Sequence, residues 1–352
     1  MIISRTPFRI SFFGGGTDYP TWIQEHGGAV IGTTINHFCY ISCRDLPPFF
    51  EHKYRVCYSK IENVNIIEQI EHPAVKGVLN YLKFHERGLE IHHDADLPAR
   101  AGLGSSSAFV VGLCNALLAL QGRAISKGEL SQLAIHIEQN VINETVGCQD
   151  QTLTAHGGLN CAYFFPNGNI SVHPVIASEK RIDMFQNHLQ LFFTGFSRYA
   201  HEIAKSQVAN FHMRKNELHR MRGMVNEALD ILQDENQDLL GLGELLHEAW
   251  QLKKTLSDKI TSPQINEIYE KAIKAGAMGG KLLGAGGGGF MLFFVPPDKQ
   301  ESVKQALGSL LHIPFRFENS GSSIIVHQPT GFSTRNLEAA IANAPQAQSV
   351  VP

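Results

Sequence analysis

The chain has 352 residues, of which 18% are charged, and a formal net charge of -3. That length allows roughly two domains and a sizeable core. The near balance of charge excludes both a polybasic nucleic-acid footprint and an acidic tail, so any anionic ligand must be met by local groups.

The first 60 residues read as strands and turns: "FRISFF", "GGGTD", "GGAVIGTTI" and "FCYISCRD" are β-branched and aromatic segments bounded by glycine, proline and aspartate. The opening "MIISRTPFRISFF" has no apolar core ending in a small-residue cleavage site, and no apolar run reaches membrane-spanning length. The six cysteines (Cys39, Cys43, Cys57, Cys114, Cys148 and Cys161) are scattered without a CxxC pair. Together these features predict a reduced cytoplasmic protein with neither membrane nor nucleic-acid partners. Helical spacing of apolar residues then predicts helices over 73–86 and 127–140, and "NHLQLFFTGF" reads as a buried strand at a domain boundary. Residues 200–274 are mostly helical in pattern. "FMLFFV" is a six-residue strand stopped by Pro296 and Pro297, and the last twenty or so residues read as a peripheral helix and a loose end. The expected division is 1–188, 189–330 and a tail over 331–352.

Between the helical segments lies "DLPARAGLGSSSAFVVGLCNALLAL", Asp96 to Leu120. Gly102 and Gly104 let backbone approach a ligand, and a helix beginning near Ser105 offers unpaired N–H groups and a positive dipole end. Such a helix start binds phosphate. Serine hydroxyls there can cap the helix, bond phosphate oxygens or coordinate Mg²⁺. A single Gly-Ser pair would be read as a simple cap, but the "PxxxGLGSSSA" pattern is longer than a cap needs.

Two familiar nucleotide motifs fail. In "AGAMGGKL", Ala275 stands where a Walker A loop has its first glycine and Leu282 where it has Ser or Thr. Gly284, Gly286 and Gly289 match GxGxxG, but the pattern places a helix before them and a strand after, the reverse of the dinucleotide-binding context. An NAD-dependent oxidoreductase rests on that misplaced match alone.

Three separated motifs, "PFRISFFGGGTDYP", "PARAGLGSSSA" and "KLLGAGGGGFMLFF", in this order, resemble the GHMP kinases over nearly the whole chain, from Ile2 to about His327. Arg9 and Asp18 keep the nine-residue interval of the family's sugar kinases. Glu138 stands twelve residues before Asp150 of the Gly-x-x-Asp-Gln segment, as in galactokinase-like members. The resemblance implies an α+β, two-domain fold, with a mixed sheet and helices first and a ferredoxin-like domain containing "FMLFFV" second. It implies ATP and Mg²⁺ as cofactors and a small-molecule sugar phosphate as partner, and leaves room for a homodimer.

The residue roles it implies follow phosphoryl transfer, which needs charge neutralisation, an in-line hydroxyl and a base. Asp150 is the candidate base, and Arg9 would stabilise charge on the transferring group and keep Asp150 ionised. Ser106 and Glu138 would hold Mg²⁺. Pro98, Gly102, Leu103, Gly104, Ser105, Ser106 and Ser107, with Gly284, Gly286 and Gly287, would cradle ATP. Gly16, Thr17 and Asp18 would meet the sugar, Asp18 through its hydroxyls. Taken singly, Asp150 could be a cap, Glu138 a solvated carboxylate and Asp18 an Asx-turn. For a phosphate on the substrate, Arg5 and Arg9 lie four apart on one strand face, and Arg44, Arg100 and Lys281 are further candidates.

Within the family, "RTPFRISFFGGGTD" and "VGCQDQ" look most like the kinases of D-glycero-D-manno-heptose 7-phosphate. The implied reaction moves the γ-phosphate of ATP to the anomeric hydroxyl and gives heptose 1,7-bisphosphate for GDP-heptose and surface polysaccharide. Gly15 and Gly16 replace the Glu-His of galactokinases. A kinase of L-fucose or galactose, and a silent sugar- and nucleotide-binding regulator, stay open as alternatives.

Overall fold

The computed structural model describes residues 1–99, 101–195 and 200–328. In chain order the strands and helices are β1 (Ile2–Phe13), α1 (Pro20–His26), β2 (Gly28–Asp45), β3 (Tyr54–Cys57), β4 (Ile61–Val64), α2 (Pro73–Tyr81), β5 (Leu89–Ala95), α3 (Ser105–Leu120), α4 (Lys127–His136), α5 (Gln149–His156), β6 (Asn160–Phe164), β7 (Ile170–Pro174) and α6 (Glu179–Asn187). The second half contains β8 (Leu189–Phe193), α7 (Ala200–Asn210), α8 (Lys215–Gln233), α9 (Gly241–Thr255), α10 (Pro263–Lys274), β9 (Gly279–Leu282), β10 (Phe290–Phe294), α11 (Gln300–Ala306), β11 (Leu311–Ile313), β12 (Phe317–Glu318) and β13 (Ser323–His327).

The fold is α+β, as expected. Among the described residues, nine strands form one mixed sheet with the path β13-β1-β2-β5-β3-β4, to which β12 and β6 add beside β2 and β7 adds beside β6. Only β3 and β5 run parallel among its pairs. The second sheet is antiparallel, in the order β11-β8-β10-β9. Numbered within that sheet this is 4-1-3-2 around the β9–β10 hairpin, a ferredoxin-like arrangement with "FMLFFV" as an internal strand. Strands β12 and β13 return to the first sheet.

β1 and β2 are long because each is buried over most of its length; the expected "GGAVIGTTI" and "FCYISCRD" are one 18-residue strand. The 20–26 helix was not expected among them: Pro20 at its first turn starts it, and Trp22 and Ile23 give it a buried face. Pro7, with no N–H to donate, sits where the β1–β2 register shifts. β13 covers only Ile2–Arg5 of β1. Beyond it, the Arg9 N–H is taken at 3.0 Å by the carbonyl of Leu103, so the serine-rich loop hangs on the edge of β1 left uncovered by β13.

Helix α3 is apolar nearly all round because it is buried nearly all round, on the sheet and against α2, α4 and α5. Ser4 Oγ donates to the Gly112 carbonyl at 2.8 Å, locking the helix to β1. The helix expected over 127–140 is regular only to His136 and then widens into a π turn, Ile137–Val141, with Ile142 N–H bonding back to Ile137 O. Such wide turns gather at functional sites. The expected tail over 331–352 lies outside the described residues.

Candidate active site

Where the serine loop, the β1–α1 turn, the start of α5 and the β9–β10 hairpin meet, they enclose a cleft of about 290 Å³. Gly104, in a left-handed conformation, occupies the cap position of α3 and makes no side-chain cap. Ser105, Ser106 and Ser107 are therefore the first three helical residues, and all three line the cleft.

The loop's glycines are explained by contact with the β9–β10 hairpin. A Cβ on Gly102 would lie 2.4 Å from the Leu283 carbonyl, at a φ of +89°, and one on Gly284 would lie 2.5 Å from Gly102 Cα. The two glycine-rich segments touch backbone to backbone. One sequence expectation needs correction: a short strand, β9, and not a helix immediately precedes these glycines. They turn an antiparallel hairpin, so the dinucleotide context is still absent. Within the hairpin, Gly284 and Ala285 face the cleft. Gly286 and Gly287 pack on the Ile260 backbone instead, where Gly287 N–H reaches Ile260 O at 2.9 Å.

Arg9 and Asp150 meet in a two-pronged ion pair: Nε donates to Oδ1 at 2.8 Å and Nη2 to Oδ2 at 2.6 Å, while Nη1 donates to the Gly102 carbonyl at 2.6 Å. Arg9 is buried and Asp150 a quarter exposed to the cleft. This geometry holds the carboxylate at a fixed angle in the first turn of α5, a favourable end for negative charge. Asp18 is buried and accepts from Gly16 N–H at 3.0 Å, Gln149 N–H at 3.2 Å and Gln149 Nε2 at 3.2 Å. Its own backbone N–H is a further donor to it, so the carboxylate's four or so acceptor sites are met within the turn and by Gln149. A Cβ on Gly147 would lie 1.9 Å from Asp18 Oδ2, which explains the glycine of the Gly-x-x-Asp-Gln segment. Burial and the nearby Asp150 charge push the Asp18 carboxyl up to about 6.

Glu138 is the second residue of the π turn and is completely buried. It accepts from Ser107 Oγ at 2.9 Å and from Gln151 Nε2. Burial pushes its carboxyl up to about 8 against those two neutral donors. Among the described residues no cation pairs with it. A buried carboxylate without countercharge is a hard-oxygen donor of the kind a divalent cation takes, but Glu138 does not itself line the cleft, whereas the exposed Ser106 does. The serine bonded to Glu138 is Ser107; Ser106 faces the cleft mouth.

Other expected residues lie elsewhere. Thr17 is buried and spends its hydroxyl on Gly14 O and Ala29 O, bracing the turn that carries Gly16 and Asp18. Pro98 is exposed outside the cleft, and Leu103 contributes its backbone carbonyl to Arg9. Arg5 is not in the cleft. Four residues of strand put it about 13 Å from Arg9, where it stacks on Phe38 and reaches Ser320 Oγ at 3.5 Å. Arg44 pairs with Glu90 away from the site, and Arg100 lies outside the described residues.

Lys281 does line the cleft, buried, with Nζ donating to Phe12 O at 2.8 Å. Among the cleft residues that escaped the sequence are Ser11, Gln149 and Lys253. Ser11 follows Arg9 by two on the same strand face, a signal that was there to read. Gln149 neighbours Asp150 but carries no pattern of its own. Lys253 reads as an ordinary lysine near the end of α9, and only packing turns it into the cleft. The Ser11 Oγ and Gln149 Oε1 atoms are buried and make no hydrogen bond.

Comparison with known proteins identifies the family. Residues 70–158 match the model of the GHMP kinases N terminal domain and residues 226–313 that of the GHMP kinases C terminal, together half of the chain. The chain is 28% identical over 323 residues to a D-glycero-alpha-D-manno-heptose 7-phosphate kinase of Campylobacter jejuni, covering 87% of this chain and 93% of that protein. It is 25% identical over 328 residues to the bifunctional fucokinase/GDP-fucose pyrophosphorylase of Arabidopsis thaliana, covering 86% of this chain but 30% of that protein. A crystal structure of a D-glycero-D-manno-heptose 1-phosphate kinase from Bacteroides thetaiotaomicron superposes with a TM-score of 0.76 at 24% identity, covering 93% of this chain and 99% of that one. With both halves of the family's fold present, the chain belongs to the GHMP kinases and is a phosphotransferase acting on a hydroxyl group.

Proposed function

We propose that this kinase transfers the γ-phosphate of ATP to the anomeric hydroxyl of D-glycero-D-manno-heptose 7-phosphate, giving heptose 1,7-bisphosphate for GDP-heptose and surface polysaccharide synthesis. The observation that carries the phosphoryl-transfer part is the fixed Arg9–Asp150 pair facing the first turn of α3 across one cleft. The substrate is supported by the relative named a heptose 7-phosphate kinase, which aligns over nearly its whole length.

In this reading the first-turn N–H groups and hydroxyls of Ser105–Ser107 hold the ATP phosphates, with Gly102, Gly104 and Gly284 allowing close approach. Asp150 receives the proton of the attacking hydroxyl, and Arg9 orients Asp150 and offsets charge on the group in transit. Asp18, Ser11 and Gln149 meet sugar hydroxyls, the last two through atoms that otherwise lack a partner. Ser106 and Glu138 would hold Mg²⁺, which supplies charge neutralisation at the β- and γ-phosphates. The division at residue 188 puts the Asp150 pair in the first domain and the hairpin in the second. A cytoplasmic location is part of the proposal; all six cysteines are free thiols.

The test is ADP release from ATP and Mg²⁺ with heptose 7-phosphate, heptose 1-phosphate, galactose, L-fucose and mevalonate, with products identified by ³¹P NMR. A new anomeric phosphate signal with heptose 7-phosphate alone is expected. Turnover of another member instead sinks the substrate assignment, and tight ATP binding without turnover of any favours the regulator.

A further inference from the structure

Arg9 is committed to Asp150 and the Gly102 carbonyl, and Arg5 lies outside the cleft. Among the described residues, two cations lining the cleft have no carboxylate within ion-pair distance: Lys253 from α9 and Lys281 from β9. They are 7% and 5% exposed. The Lys253 ammonium donates to Leu282 O at 3.0 Å and Gly284 O at 2.5 Å, and that of Lys281 to Phe12 O at 2.8 Å. An ammonium has three donors, so one remains on Lys253 and two on Lys281.

Two buried cations held by neutral carbonyls are a costly arrangement, because burial penalises each charge and each charge opposes the other. Burial and the Arg9 charge lower Lys253 to about 7, and burial and the Lys253 charge drive Lys281 well below the usual lysine range. A doubly charged anion placed between the spare donors would reverse both effects, supplying countercharge and acceptors together. The carbonyls fix both amines in place before any ligand arrives. Asp18 and Asp150 are the acidic groups acting on Lys253, and Asp150 is already paired with Arg9.

We propose that Lys253 and Lys281 form the subsite for a phosphate carried by the acceptor itself, separate from the serine loop that takes the phosphates of ATP. Its assignment to the acceptor rests on the sugar-phosphate kinase reading above; the existence of an anion site does not. A requirement for a phosphorylated acceptor follows, since an unphosphorylated sugar leaves the two cations unmatched.

The first test needs no knowledge of the sugar. Inorganic phosphate is titrated calorimetrically into the protein saturated with Mg²⁺ and the non-hydrolysable analogue AMP-PNP, for the wild type and for Lys253→Met and Lys281→Met. One phosphate should bind the wild-type nucleotide complex, and each variant should weaken it at least about tenfold, the loss expected for a charged hydrogen bond. AMP-PNP affinity should stay within about threefold of wild type. Phosphate that binds only when AMP-PNP is absent, or variants that lose AMP-PNP affinity instead, would assign the lysines to the nucleotide and overturn the inference. Unchanged phosphate binding by both variants, or none by the wild type, overturns it as well. Lys281→Gln serves if the methionine variants do not fold.

A second arm compares kcat/KM for D-glycero-D-manno-heptose with and without its 7-phosphate. The preference for the phosphorylated form should fall at least tenfold in each variant, mainly through KM; an undiminished preference refutes the acceptor assignment. If the wild type turns over neither sugar, the substrate reading fails while the phosphate titration still decides the anion site.

Discussion

Replacing Glu138 by glutamine keeps the shape of a buried side chain and removes its ability to ionise. In the wild type, burial raises the carboxyl from its usual 4.5 to about 8. The folded chain therefore holds a proton that the unfolded chain releases. Its contribution to stability is full below pH 4.5 and is lost as pH rises through 8. At 1.36 kcal/mol per pH unit, this one group costs the wild type about 3 kcal/mol between pH 5 and pH 8. Asp18, raised to about 6, adds a fall between roughly pH 4 and 6, and Lys253, lowered to about 7, adds a gain above pH 7. Both are present in wild type and variant, so the difference between the two isolates Glu138. Urea unfolding at pH 5 and pH 8, without divalent cations, should show Glu138→Gln losing about 3 kcal/mol less than wild type over that interval. Equal losses would mean that Glu138 is not a buried carboxylate held by Ser107 and Gln151, and the metal role built on it would fall too.

Asp150→Asn should lower kcat by about 10²–10⁴-fold while ATP affinity, measured by calorimetry, changes little; turnover within threefold of wild type rules out a required base. Gly102→Ala places a methyl 2.4 Å from the Leu283 carbonyl at a φ that disfavours alanine. It should push the two glycine-rich segments apart and raise KM for ATP at least tenfold, whereas an unaltered KM would show that their close contact is dispensable. Ser11→Ala removes a buried hydroxyl without a partner, so it should leave the unfolding midpoint nearly unchanged and raise KM for the sugar about 3–10-fold. An unchanged KM would place Ser11 outside the sugar contacts. Mg²⁺ at pH 8 should raise the melting temperature of the wild type more than that of Glu138→Gln; equal shifts would remove Glu138 from the metal site.

Whatever is written in local spacing could be read from the chain alone. The apolar run of α3 after "GLGSSS", the strand "FMLFFV" stopped by two prolines, and the intervals from Arg9 to Asp18 and from Glu138 to Asp150 were each legible, because helix starts, strand ends and family motifs are properties of neighbouring residues. Helix α1 was missed because seven residues are too few for a periodic signal. The π turn at Glu138 was missed because a wide turn has the same composition as the helix it ends. Which residues share the cleft was set by packing between distant elements. Arg5 and Arg9 lie on one face of β1, yet strand rise carries Arg5 about 13 Å away. Ser107 rather than Ser106 meets Glu138, since successive helical residues point in different directions. Lys253, on a helix some hundred residues after Asp150, enters the same cleft as Asp18 and Lys281 only through the packing of α9 on β9. Spacing along the chain fixes what a residue can be beside its near neighbours, and three-dimensional packing alone brings a lysine to a carboxylate more than two hundred positions away.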